Sequence, residues 1–356
     1  MQKFLARVFA LVAGVPLLFG AAVPAQATSS HHPAKPRCQD VHIPATIASG
    51  AVTMYGKFCM PLIGKPKTVQ LLVHGATYNH RYWDFPGFDG KYSYTAVANM
   101  AGYATLAIDR LGTGDSTRPP SAQVTYDAQI STINQVVQAL RKGIGGHKFQ
   151  NVMLIGHSFG SAYSIGVAAT YKSVDAVILT GNGHQVSKLT QQQSVDFFHP
   201  ANSEVRFSQL DAGYLTTIPG TRDDGGFLYD MSKADPKVVE QDEATKDVIS
   251  TAEFSTRPAN LGTLSKDIKV PVLIFDGQQD THYCGEGAND CSSTAAFYDA
   301  EKPFYTTCLA MSFVQSGHDI GLHTNAQSSY WKLVGLSYVM LAPHANRASC
   351  SLQGAL

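Results

Sequence analysis

The sequence predicts an α/β fold: a doubly wound, mostly parallel sheet flanked by helices, with a mainly helical cap inserted into it. Three observations carry that expectation. Six short, nearly continuous apolar runs recur along the chain, stretches with helical spacing lie among them, and one interval is far too long to be a connecting loop.

The runs are VQLLVHG at 69–75, ATLAIDR at 104–110, VMLIG at 152–156, DAVILTG at 175–181, VPVLIFDG at 270–277 and LAMSFV at 309–314. Apolar runs of this length, without alternation, suit strands covered on both faces. Between the second and third runs, TYDAQISTINQVVQALRKGI keeps Ile130, Ile133, Val136, Val137 and Leu140 on one side of a helix. Strands that alternate with helices imply right-handed crossovers. The long interval after the fourth run contains helix-like text such as DPKVVEQDEATKDVISTAEF. Residues 186–261 are read as the cap insertion, and 37–185 with 262–356 as the core.

The chain starts with Lys3 and Arg7, continues with the apolar stretch VFALVAGVPLLFGAAV, and reaches AQA at Ala27, the form of a signal peptide cleaved after Ala27. The apolar stretch is shorter than the ~20 residues a spanning helix needs, so the expectation is a secreted protein with no stable membrane insertion. Residues 28–36, polar and rich in proline, read as a disordered lead-in. Lys and Arg total 27 and Asp and Glu total 27, with no basic block, which argues against a nucleic-acid partner or docking on anionic lipid. Six cysteines in an exported chain point to three disulfides. Sequence proximity favours Cys38–Cys59, Cys284–Cys291 and Cys308–Cys350. No paired C-x-x-C occurs, and no metal site is expected.

The third run leads into GHSFG at 156–160, followed by the small-residue text SAYSIGVAATY. Ser158 would then occupy a tight strand-to-helix turn, with glycines two before and two after it giving room for strand and helix to pack closely. A serine hydroxyl is a poor nucleophile until a base removes its proton, and that base needs an orienting carboxylate. The segment DGQQD after the fifth run offers Asp276 and Asp280. Asp280, beyond the glycine turn, is preferred because it is free to reach across. After the sixth run, QSGHDIGLH offers His318 in the loop and His323 further on; order and strand context favour His318 as the base. Two backbone N–H groups should face the developing oxyanion, from Phe159 and from Ala76 in HGATYNHRYW after the first run. Tyr78 and Trp83 in that loop, and His282 beyond the acid, are pocket candidates. Phe197, Phe198, Phe227 and Tyr229 are weaker ones.

Together, LLVHG, IDRLGTGDS at 108–116, GHSFG, VPVLIFDGQQD and SGHD stand in the order and near the spacing of the α/β-hydrolase superfamily, and the chain resembles its serine-nucleophile, esterase- and lipase-like branch over about residues 50–340. The resemblance implies Ser158 as nucleophile, Asp280 as acid, His318 as base and Ala76 and Phe159 as oxyanion donors, with Asp109 and Arg110 holding neighbouring loops together. It implies a secreted hydrolase of carboxylic esters, acting on a small-molecule or lipid-like ester without a cofactor. Amide hydrolysis, acyl transfer and perhydrolysis use the same triad, and a non-catalytic binding protein of this fold is the remaining reading.

Overall fold

The computed structural model describes residues 37–222, 227–341 and 354–356, with the backbone alone at 193–195 and 354–355. The signal peptide and lead-in expected over 1–36 lie outside the described residues. The main sheet consists of β1 Arg37–Ile47, β2 Gly50–Met60, β3 Thr68–Val73, β4 Ala104–Ile108, β5 Asn151–His157, β6 Ala176–Thr180, β10 Val272–Gly277, β11 Leu309–Val314 and β12 Gly354–Ala355. Their order across the sheet is β1-β2-β4-β3-β5-β6-β10-β11-β12. β1, β2 and β4 pair antiparallel, and every later neighbour pairs parallel. All six predicted runs are strands of this sheet. The edge hairpin β1–β2 and the short β12 are additions that the apolar runs do not reveal.

Alternation along the central strands fills two cores, one on each face. In β3, Leu71 and Val73 join one core while Leu72 joins the other; Leu154 and Ile155 divide in the same way on β5. Helices α1 Tyr94–Met100 and α9 Ala326–Met340 contribute Val97, Leu333 and Val334 to one face. On the other face lie α2 Tyr126–Lys142 and α3 Phe159–Tyr171. α2 begins where the Thr125 side chain accepts a hydrogen bond from Ala128 N–H at 3.1 Å, and it buries the five apolar residues read from its spacing. α8 Thr294–Glu301 precedes β11.

Between β6 and β10 the chain forms α4 Lys188–Asp196, α5 Pro236–Thr245, α6 Thr251–Thr256 and α7 Leu261–Ser265. It also forms a three-stranded antiparallel sheet, β7 Phe198–Pro200, β8 Tyr214–Thr217 and β9 Ile249–Ser250, so the insertion is less uniformly helical than its sequence suggests. The helix-like text over 235–254 forms two helices separated by β9. Lys246 turns extended, and the backbone of Asp247 bonds to the carbonyl of Thr77 at 2.8 Å instead of continuing the helix.

A buried ion pair ties this insertion to the sheet. Arg110, at the end of β4, is fully buried and bonds to Glu253 on α6. Glu253 also accepts from Tyr163 Oη at 2.7 Å and Gln129 Nε2 at 2.9 Å, and closes a capping box with Ser250. The disulfide Cys38–Cys59 joins β1 to β2, and Cys284–Cys291 closes the loop after β10. Cys308 is disulfide-bonded as well, while Cys350 lies outside the described residues. No described helix is long and apolar enough to cross a membrane.

Removing Glu253 would strand the Arg110 guanidinium in a dry site, which typically costs about 3–5 kcal/mol. Urea unfolding of Glu253→Leu with disulfides intact should show a loss of that size. A loss below about 1 kcal/mol would mean that the pair contributes little to holding the insertion.

Candidate active site

Ser158 caps α3 with φ 54° and ψ −119°, a backbone conformation rare for any residue with a side chain. Two close approaches enforce it. A Cβ on Gly156 would lie 2.3 Å from the carbonyl oxygen of Gly160, and one on Gly160 would lie 2.2 Å from that of Val73. The start of α3 is thus pressed against the ends of β5 and β3, and the strain is offset by the packing around it. Ser158 lines a cavity of about 360 Å³ together with Ala76, Phe159 and His318. Phe159 is the first residue of α3, where backbone N–H groups have no acceptor within the helix.

His318 follows β11, is almost wholly buried, and meets Asp280 Oδ2 through Nδ1 at 2.8 Å. The other oxygen, Asp280 Oδ1, accepts the backbone N–H of His282 at 2.8 Å. Burial alone would raise the Asp280 pKa, but the neighbouring His318 and the hydrogen bonds from His282 and His318 outweigh it and hold the carboxyl well below the usual carboxylate range. An ionised Asp280 can only accept. His318 therefore carries its proton on Nδ1 and leaves the Nε2 lone pair free.

Asp276 lies behind this pair at the end of β10, fully buried. Its Oδ1 accepts the Gly277 N–H at 2.7 Å, and its Oδ2 meets no ordinary donor. Burial, then the charge of Asp280 and the hydrogen bond between the two carboxyls, push the Asp276 pKa well above its usual value. Asp276 thus favours its neutral form beside Asp280, which faces the histidine.

The loop after β3 completes the wall. Thr77 has φ 57°, and residues of the insertion hold it there: its carbonyl accepts from Asp247 N–H at 2.8 Å and its Oγ1 from Arg222 Nη1 at 3.1 Å. Arg110 Nη2 donates to the Gly75 carbonyl at 3.2 Å, and Asp109 accepts the backbone N–H groups of His80 at 2.7 Å and Asp115 at 2.8 Å. Beneath the cavity, Tyr78 Oη bonds to Asp242 and Asp319. Asp319 takes His157 Nε2 at 3.0 Å, and Asp242 takes Arg222 through both oxygens.

Tyr78 and His282 line the cavity, as do Phe197, Phe198 and Phe227. Trp83, a pocket candidate from sequence, does not: its indole is buried among Tyr82 and Tyr94, because the loop turns into a short helical turn at 80–82 that points it into the core. Tyr229 is likewise buried away from the cavity, its hydroxyl bound to Asp242 at 2.7 Å. His323 stands apart from the cavity. Its Nε2 accepts the backbone N–H groups of Asp230 at 2.9 Å and Gly317 at 3.1 Å, which fixes the loop carrying His318. Sequence reading missed Arg222, Asp242, Asp319 and the Asp276–Asp280 contact. Only Asp319, next to His318, and Asp276, in DGQQD, sit within motifs that could have signalled them.

Among the described residues, Asp280, His282 and His318 are the one group whose ligand atoms converge, all within 4.8 Å of one another. The two imidazoles stack with centroids 3.9 Å apart and planes 13° apart. A lone pair on a histidine lies in the ring plane, so an ion shared between two stacked rings would sit well outside both planes. Asp280 is also already committed to His318. These residues fit a proton relay better than a metal.

The family model described as "Alpha/beta hydrolase family" matches residues 70–325, and the chain belongs to that family. Among curated proteins it is similar to Lipase 3 of Moraxella sp. (strain TA144) and Lipase 1 of Psychrobacter immobilis. Each is 36% identical over 87 residues, which are 24% of this chain and 26% of the relative. The match thus spans about a quarter of those relatives. A solved structure, the enol-lactonase from Burkholderia xenovorans LB400, shares the fold at a TM-score of 0.57 and 12% identity, covering 83% of this chain and 99% of that one.

Burial raises the Asp276 pKa above the pH ~4 at which an unfolded aspartate releases its proton, so folding becomes less favourable as pH rises from about 4 towards the raised folded value. Asp276→Asn keeps a hydrogen-bond donor for Asp280 and cannot ionise, so its stability relative to wild type should increase with pH. Urea unfolding at pH 5 and pH 8 checks this. Parallel pH curves for the two proteins would show that Asp276 is ionised in the fold.

Proposed function

We propose that this protein is an exported serine hydrolase that cleaves carboxylic esters through an acyl-enzyme. The observation that carries the reading is the opening of two arrangements onto one cavity: Ser158 on its strained turn, and His318 with Nδ1 bound to Asp280 at 2.8 Å. Ser158 Oγ attacks the acyl carbon while His318 Nε2 takes its proton. The resulting imidazolium is supported by Asp280. Negative charge gathers on the carbonyl oxygen, where the N–H groups of Ala76 and Phe159 are the candidate donors. His318 then delivers the proton to the leaving alcohol, and water attacks the acyl-enzyme by the same route in reverse, releasing the acid.

The cavity wall supports an ester over a more polar substrate. Phe159, Phe197, Phe198, Phe227, Leu228 and Phe254 face it, surfaces suited to an acyl chain or an apolar alcohol. The names of the two lipase relatives point the same way. Export is supported by the N-terminal Lys3, Arg7, apolar stretch and AQA, and by two disulfides within the described residues.

A fluorophosphonate probe should label the protein at Ser158, and Ser158→Ala should abolish ester turnover with its far-UV circular dichroism unchanged. Ester turnover at the wild-type rate in Ser158→Ala would remove the mechanism. Asp280→Asn should lower kcat by at least about a hundredfold and up to about 10⁴, the range for a triad whose base has lost its orienting charge. Wild-type kcat in that variant would mean that another group orients His318.

A further inference from the structure

We propose that the esters taken by this site carry an anionic group, and that Arg257 binds it. The inference rests on the ester-hydrolase reading and specifies its substrate class. Arg257 follows α6 and lines the same cavity as Ser158, whose other lining side chains are apolar, neutral hydroxyl or amide groups, and three histidines. Among the described residues, no carboxylate lines it.

Every other arginine withdrawn from the open surface among the described residues faces an acid. Arg110 pairs with Glu253, Arg118 with Asp247 at 3.0 Å, Arg141 with Asp175 at 2.8 Å and Arg222 with Asp242 at 2.7 Å. Arg257, half-buried, meets no carboxylate and makes no hydrogen bond among the described residues. What it does contact is the ring of Phe159, with the guanidinium carbon 5.2 Å from the centroid. Phe159 in turn packs edge-on against Phe254 at 4.9 Å.

That stacking fixes where the charge sits. A guanidinium lying over a ring uses its face and leaves its N–H donors free at the edge, in a geometry suited to a carboxylate fork. Phe159 is the residue after Ser158, so the cation is held over the side chain adjoining the nucleophile. Partial withdrawal from water removes hydration from Arg257 that nothing in the protein replaces, and an incoming anion would replace it. The aromatic wall takes the apolar portion of the same molecule. The ligand that satisfies both is an amphiphilic ester with a carboxylate at the end of its acyl chain or on its alcohol.

Three substrates separate these cases: 4-nitrophenyl valerate as the neutral ester, mono-4-nitrophenyl glutarate with the carboxylate on the acyl side, and 3-carboxy-4-nitrophenyl butyrate with it on the leaving group. The proposal predicts that kcat/KM for one anionic ester exceeds that for the neutral one by about tenfold or more. In Arg257→Gln that ratio should fall at least about tenfold through KM, with Arg257→Lys recovering part of it, and 0.5 M NaCl should lower it in wild type alone. Anionic esters that gain nothing over the neutral one, or a ratio unchanged in Arg257→Gln, would overturn it. Binding of monomethyl glutarate to Ser158→Ala protein, with and without Arg257→Gln, gives a readout that needs no turnover. Arg257-dependent binding without hydrolysis of any ester would keep the anion site and reject the ester-hydrolase reading, whereas ester hydrolysis with Arg257-independent binding would do the opposite.

Discussion

The backbone of Ser158 is the constraint from which the site is built. A positive-φ residue with a side chain is costly, and here it persists because the first turn of α3 presses against Gly156 of β5 and the carbonyl group of Val73, where only glycines at 156 and 160 fit. That turn places Ser158 on the cavity wall, directly before the first residue of α3. Every other part of the site is arranged around a serine whose position is already fixed.

The second constraint comes from the insertion, which does more than cover the cavity. Its Arg222 and Asp247 hold Thr77 in a left-handed turn, and its Glu253 neutralises Arg110, which holds the carbonyl of Gly75. The loop carrying Ala76 is therefore clamped from both sides by buried charge. The insertion also supplies the aromatic wall and Arg257. On the proposed function, the geometry of the Ser158 site and its substrate preference would be coupled through the same segment, and substitutions in it would affect both.

Much of the fold was legible because parallel strands in a two-faced sheet must be apolar throughout, and all six apolar runs proved to be strands. The edge hairpin escaped because β1 is exposed over most of its length and carries no continuous run. The text at 235–254 looks helix-like because periodicity senses local amphipathicity and not the pull of β8, which draws Ile249 and Ser250 into a strand. Within the candidate site, residues tied to a strand end could be placed at one sheet edge from sequence, since topology fixes where a strand end lies. Ser158, Asp280 and His318 are of that kind. Arg222, Asp242 and Arg257 lie in the insertion, whose path over the sheet no spacing rule describes. Trp83 was misplaced because a loop residue's direction depends on a turn, here the one closed by Asn79. The raised pKa of Asp276 could not be read from DGQQD alone, because it arises from burial beside a second carboxyl.

The central claim is that Ser158 carries the acyl group during turnover. Rapid quenching of the wild-type protein with a 4-nitrophenyl ester, followed by digestion and peptide mass spectrometry, tests it most directly. The account predicts a mass increase equal to the acyl group on the peptide containing Ser158, present within the first turnover and lost on incubation with excess water. Ester turnover with the acyl group found on a different residue would contradict it.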